Sequence, residues 1–281
     1  MIRNKKTAIL AAAALTLCLA LSFPAVRTAA VEFLSVFRVN SLHIVNISPQ
    51  DLQALEEIFQ QGKGDVDIDS FGQIEVTGQQ QRIPVSLTEA AQAVDFPLRL
   101  PDLAGYTLDG INLETGFTVT MTLSVENINK GLQALGGNKK LPEQLEGQSF
   151  SIVVPARITA DYSYDDAYLY ISQFSLPEIK VPAGVDVEEL RRALLDIPVL
   201  PDNLRQQMLA VKDPLTTLMV PNINGSASNI NINGADGVLL LGEDTAPGEL
   251  MLVWPQNDVF NMIFGSGLDR EKALAIAAQM K

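Results

Sequence analysis

The sequence predicts an α+β protein in which an N-terminal transmembrane helix is followed by a mostly antiparallel sheet with helices packed on one face. Three observations lead there. Residues 7–26 form an apolar run without charge, behind the basic stretch MIRNKK at residues 1–6. Many segments after residue 34 alternate between apolar and polar residues, as half-buried strands do. Helical stretches with capping signals fall between those strands, but not in the strict alternation of a Rossmann-type fold.

Length comes first among the elements. The 20 residues of 7–26 contain one late proline, Pro24, and suffice to span a bilayer core. The basic flank predicts a cytoplasmic N-terminus with everything after Arg27 outside. The rival reading is a cleaved secretory signal, for which Thr28-Ala29-Ala30 makes a poor small-residue cleavage site. Leu17 stands before Cys18 where a lipoprotein signal wants a small residue, so lipidation is not expected. The expected organisation is an anchor at 1–27 and an extracytoplasmic domain at 28–281, with a seam between subdomains left open near 177–214.

Residues 34–47 read as a strand or a bent pair of strands. Ser48-Pro49-Gln50-Asp51 then supplies an N-cap, a proline at the first helical position and an acid at N3. Leu52, Leu55, Ile58 and Phe59 stripe the helix that follows, and Gly62 ends it. Strands are expected over 65–76. Ser86 and Glu89 form a second capping box for a short helix to about Val94. An alternating pattern over 106–125 breaks at Thr115-Gly116 as a hairpin would. Residues 126–135 read as a helix ended by Gly136-Gly137, and 149–154 and 157–174 read as strands. Asp186, with Glu189 at N3, and Asp202 are expected to cap two short helices. Strands follow at 215–220, 227–232, 237–241, 249–254 and 258–264. A last helix, capped by Asp269, places Ala273, Ile276, Ala277 and Met280 along one face. Asn222-Ile223-Asn224-Gly225 and Asn231-Ile232-Asn233-Gly234 echo each other as Asn-Gly turns.

Charge narrows the partners. The chain carries 20 basic and 33 acidic residues, a net charge of −13. Four of the basic residues (Arg3, Lys5, Lys6, Arg27) flank the apolar run and no acid precedes Glu32, which leaves 16 against 33 and a net charge of −17 beyond it. Such a body repels nucleic acid and anionic lipid, so no nucleic-acid partner is expected. Cys18, in the apolar run, is the only cysteine, so the folded part forms no internal disulfide.

No catalytic, metal or cofactor constellation stands out, and the chain reads as a non-enzyme without cofactor. His43, the only histidine, sits between Leu42 and Ile44 on the polar side of a strand. Without a second histidine or an ectodomain cysteine a zinc site is discounted. Gly265-Ser266-Gly267 has the wrong spacing for a nucleophile elbow. Asp65-Val66-Asp67-Ile68-Asp69 opens like a calcium loop, but Ser70 stands where glycine belongs and Val76 where the bidentate glutamate belongs. The candidate binding surface is aromatic. Tyr162, Tyr164, Tyr168 and Tyr170 flank an Asp165-Asp166 turn and, paired across a hairpin, would form a stripe suited to a protein partner or an apolar ligand.

Three stretches carry a resemblance. They are residues 30–39 (AVEFLSVFRV), residues 87–106 with Glu89-Ala90-Ala91, Phe96-Pro97, Leu100-Pro101 and Gly105-Tyr106, and Leu252-Val253-Trp254 with residues 265–278 (GSGLDREKALAIAA). Together these resemble the uncharacterised extracytoplasmic domain found after the transmembrane helix of many predicted bacterial anti-sigma factors. The resemblance covers both ends of the ectodomain and little of 128–220. It implies an extracytoplasmic sensing or protein-interaction module. Only about six residues precede the apolar run, without His or Cys, so the zinc-binding module that such proteins use to hold a sigma factor is not expected here. The alternative function is a carrier of an apolar ligand, similar to lipoprotein-sorting folds in which a curved sheet wraps a cavity.

Overall fold

The computed structural model describes residues 35–54, 71–196, 198, 200–222, 226–242 and 249–280. The apolar run at 7–26, the Asp65–Asp69 stretch and the end of the helix begun at Pro49 lie outside the described residues. Among the described residues no helix is long and apolar enough to cross a membrane.

The fold is α+β, and its two large sheets are antiparallel throughout. Strands β1 (Ser35–Arg38), β3 (Gly72–Thr77), β6 (Phe117–Leu123), β7 (Ser149–Val154) and β10 (Glu178–Val181) form a five-stranded sheet in the order β1-β10-β7-β6-β3. Eight others form a second sheet: β4 (Arg82–Val85), β5 (Thr107–Glu114), β8 (Arg157–Tyr164), β9 (Ala167–Ser175), β12 (Ala227–Ile232), β13 (Ala235–Leu241), β14 (Leu250–Gln256) and β15 (Val259–Gly265). Their order is β12-β13-β14-β15-β9-β8-β5-β4. The two orders run in step, because β3 leads into β4, β5 into β6, β7 into β8 and β9 into β10. Four long strands therefore pass from one sheet into the other, and the pair is one sheet sharply bent.

The bend has a backbone cause. Pro155 and Pro177 lie at two crossings and lack the N–H a ladder needs. Gly78 (φ +92°) precedes β4, and at Gly116 a Cβ would come within 2.6 Å of the Val154 carbonyl oxygen. Thr115-Gly116 is thus not the hairpin expected from the sequence. Its glycine lets β5 cross beneath the β7–β8 junction, and β5 and β6 pair with different neighbours.

Alternate residues of the bent sheet feed two cores. On one face Phe150, Ile179, Val238, Val253 and Phe260 pack with helices α2 (Val125–Ala134) and α3 (Val187–Leu195) through Ile128, Leu132, Val187 and Leu190. The short parallel pair β2 (Ser41–Asn46) and β11 (Thr217–Asn222) joins them through Leu42, Ile44, Leu218 and Val220. On the other face Ile158, Ile171, Leu252, Trp254 and Ile263 meet α1 (Leu87–Gln92) and α5 (Arg270–Ala277) through Ala90, Ala273, Ile276 and Ala277. The expectation of helices on a single face is therefore corrected. A strand with apolar residues on both sides has two faces to cover, and helices cover both. Helix α4 (Asp202–Ala210) closes a smaller cluster with Val45, Ile47 and Leu195.

The caps follow the local chemistry closely. Ser86 and Glu89 form the expected capping box, Asp186 accepts from Glu189 N–H, and Asp269 accepts from Lys272 N–H at 2.8 Å. Ser48 and Asp51 cap one another, and Asp51 Oδ2 accepts from Ser48 N–H at 2.9 Å. Gly137 N–H reaches Leu132 O and Gly136 N–H reaches Gln133 O, a Schellman ending for α2. Asp202 departs from expectation. Pro201 takes the N-cap place, and Asp202 becomes the first helical residue, paired with Arg205.

Candidate functional site

The tyrosines do not form one stripe. A two-residue turn at Asp165-Asp166 sets Tyr164 opposite Ala167, Tyr162 opposite Leu169, Ser163 opposite Tyr168 and Asp161 opposite Tyr170. Side chains opposite one another share a face, so Tyr162 and Tyr164 point to one side of the sheet and Tyr168 and Tyr170 to the other.

Tyr162 is a core residue at 5% exposure. Its hydroxyl donates to the Pro101 carbonyl at 3.1 Å, and burial, with the Asp102 charge second, pushes its phenol upward. Tyr164 is 47% exposed at the hairpin tip and packs on Tyr106, with ring centroids 5.2 Å apart. Tyr162 thus belongs to the wall over α1 and α5, while Tyr164 stands exposed at the tip beside Tyr106.

Tyr168 and Tyr170 make the more promising surface. Their centroids lie 5.3 Å apart, and Phe264 on β15 joins both, stacked on Tyr170 at 6.2 Å and 5.8 Å from Tyr168. Phe264 arrives because β15 pairs antiparallel with β9, which sets Phe264 opposite Tyr170. The ladder continues this face through Met262 and Met251, all five side chains being half-buried. Tyr168 is fixed by its hydroxyl, which donates to Glu249 Oε1 at 2.6 Å. That hydrogen bond, then burial, the Glu249 charge and Tyr170, push its phenol up to about 12.

A charged border adjoins the aromatic group on the same face. Arg82 Nη2 reaches Asp161 Oδ1 at 2.6 Å, and Asn112 Nδ2 donates to Asp161 Oδ2 at 2.9 Å. Arg157 Nε donates to Glu114 Oε2 at 2.8 Å, and Thr159 bridges Glu114 to Ser172. Aromatic and methionine side chains beside paired Arg and acid groups have the anatomy of a protein-binding patch, an apolar centre with a polar rim.

Phe264, Met251, Met262 and Glu249 escaped sequence reasoning, since they reach the tyrosines only through pairing with the C-terminal strands. A faint signal existed in Phe260, Met262 and Phe264 at alternate positions of one strand. His43 lies on β2 opposite Met219 of β11. Among the described residues no three His, Cys, Asp or Glu side chains come together as a metal site.

Cavities mark the described surface, and two are distinguished by their lining. One of about 70 Å³ is lined by polar groups around Gln173 and Asn261, and an open depression of about 750 Å³ beside α2 is lined mainly by charged and amide side chains, among them Glu126, Lys130, Lys140 and Glu146.

Residues 212–280 match the family model described as a domain of unknown function, DUF4367. The match spans β11 to β15 and α5, well short of half the chain, and contains the third of the three stretches singled out in the sequence. The first two stretches lie outside it. No curated protein and no solved structure matches the chain.

Proposed function

We propose that this chain is a non-catalytic sensing or protein-interaction module of the bacterial envelope, tethered through residues 7–26 with its acidic domain outside the cytoplasm. The observation that carries the reading is the half-buried group Tyr168, Tyr170, Phe264, Met251 and Met262 set beside the ion pairs Arg82–Asp161 and Arg157–Glu114. Such a patch on a sheet suits a partner protein, because the aromatic rings bury much area at little entropic cost and the methionines adapt to an irregular surface. Support for the location comes from the apolar run behind a basic leader, and from the resemblance of three stretches to the extracytoplasmic domain of anti-sigma-like proteins.

The carrier alternative draws on the same bent sheet. A carrier keeps the hollow of its sheet open, whereas here Phe150, Leu190, Leu215 and Phe260 are fully buried in it beneath α2, α3 and the β2–β11 pair. An apolar ligand wants a cavity of roughly 300–1,000 Å³ with apolar walls. The larger depression has charged ones.

The test uses the intact protein in its native membrane with a photo-crosslinking residue at Tyr170, and a second at Thr118 on the five-stranded sheet as a control. A single protein adduct at position 170, absent at 118 and abolished by Phe264→Asp with the melting temperature preserved, is the expected result. Stoichiometric lipid extracted from the purified protein, with no protein adduct at position 170, would overturn the reading in favour of a carrier.

A further inference from the structure

We propose that the 70 Å³ cavity at the ends of β9, β14 and β15, in the middle of the eight-stranded sheet, is a binding site for a carboxylate group, independent of the aromatic surface and of its partner. The site begins with two amides where an apolar face is expected. Gln173 on β9 and Asn261 on β15 stand opposite one another and are only 2% and 3% exposed. Both line the cavity, with Pro97, Arg99, Gln256, Asn257, Val259 and Met280 around them.

Their orientation is pinned from both ends. The backbone N–H of Arg99 donates to Gln173 Oε1 at 2.7 Å, so the amide nitrogen of Gln173 must face Asn261. It donates to Asn261 Oδ1 at 2.6 Å, and Asn261 Nδ2 then turns to the Val259 carbonyl at 3.4 Å. Gln256 is fixed in the same sense, because its Oε1 accepts from the Trp254 indole N–H, which can only donate. A chain that starts at a backbone donor and ends at a backbone acceptor leaves no freedom to exchange O and N.

The consequence is an inventory out of balance. Each of the three side-chain oxygens already accepts a hydrogen bond, while each amide nitrogen carries two N–H groups and spends at most one. Unspent N–H groups remain on all three amides, and Arg99, exposed and part of the lining beside a fourth amide at Asn257, makes no ion pair among the described residues. No acidic side chain lines the cavity, although the chain beyond the apolar run has a net charge of −17. Unspent amide N–H groups beside one cation, with no acidic side chain in the lining, suit an oxyanion, most strongly an ionised one. A water needs about 10–15 Å³ of such space, so the 70 Å³ cavity has room for a carboxylate head and part of the group that carries it. The remainder of a larger ligand extends outward past the exposed Pro97.

Trp254 is the only tryptophan in the chain and bonds a cavity residue, so its emission is a built-in reporter. The full-length protein in detergent is titrated with acetate, with N-acetyl-dialanine and with the C-terminal amide of that dipeptide, at ionic strength held constant with chloride. Calorimetry runs in parallel so that a silent tryptophan does not hide binding. Saturable binding of acetate and of the free-acid dipeptide is expected, with the amide at least tenfold weaker. Arg99→Ala, at an exposed position, and Gln256→Glu, which sets a like charge in the site, should each weaken binding at least tenfold without moving the melting temperature. A dipeptide much tighter than acetate assigns the site to peptide chain ends, and equal affinity assigns it to small free acids. Equal binding of acid and amide, affinity untouched by both substitutions, or no saturable binding of either acid by either method overturns the proposal.

Discussion

Tyr168 shows how one hydroxyl ties the aromatic surface together. Its bond to Glu249 is made to a charged acceptor, a kind worth about 1.5–3 kcal/mol, so Tyr168→Phe should destabilise the protein by up to that amount, measured by denaturant unfolding. The folded phenol sits at about 12, above the usual value of about 10. The bond's contribution is therefore complete below about pH 10 and is lost as pH climbs through 12, and an ultraviolet titration should lose a tyrosine ionising near 12 in the phenylalanine variant. Asp51 works with the opposite sign. Burial pulls its carboxyl upward, but hydrogen bonds from the Ser48 backbone, Asn203 and the Ser48 hydroxyl outweigh it and hold the group below its ordinary value. Its contribution is present above the unfolded pKa and disappears as pH falls through the lowered one. Asp51→Asn should accordingly flatten the acid side of the stability profile and leave the alkaline side alone, and an unchanged acid limb would refute the assignment.

Among the elements, the bent strands are the defining feature, and glycine gives them a clean test. A Cβ at Gly116 would press on the backbone of Val154, Pro155 and Ala156, whereas a Cβ at Gly110 meets nothing within 4 Å. Gly116→Ala should cost about 1–3 kcal/mol by overpacking, and Gly110→Ala should lie within about 0.5 kcal/mol of the parent, both read from thermal melts. Helix and hairpin ends, by contrast, were legible from a few residues. Ser86 with Glu89, Asp186, Asp269, the Gly136-Gly137 pair and Asn233-Gly234 all end or join elements where their side chains and backbone preferences require it. Thr115-Gly116 was misread because a turn glycine and a crossing glycine look alike in sequence. What separates them is the neighbouring strand passing overhead.

For the whole molecule, the two cores share their strands. Phe174 and Phe260 stack at 5.4 Å on one face, while Ile171 and Ile263 on the same two strands face the other. Phe150→Ala and Trp254→Ala strike different cores, and each should cost about 3–5 kcal/mol. Because β9 and β15 carry side chains of both cores, a single shifted transition is expected from each variant in calorimetry. Two separable transitions would mean that the cores melt independently. The proposed address belongs to this scale as well. The protein is expected to stay with membranes after carbonate washing and to be cleaved by protease added from outside, and recovery of the intact chain in the soluble cytoplasm would reject it.

The sequence by itself determined the acidic balance, the apolar run behind a basic leader, the α+β class, and most helix caps and strand positions. These depend on residues within a turn or two of one another, where periodicity, caps and φ preferences act directly. Even the split of the tyrosines was implicit, since a two-residue turn at Asp165-Asp166 must place Tyr164 and Tyr168 on opposite faces. Only the tertiary structure decided that four strands cross between sheets, that helices cover both faces, and that Phe264 completes the aromatic group while Gln173 meets Asn261. Each of those depends on which strands become neighbours, and that choice rests on the burial of whole faces rather than on any local run of residues.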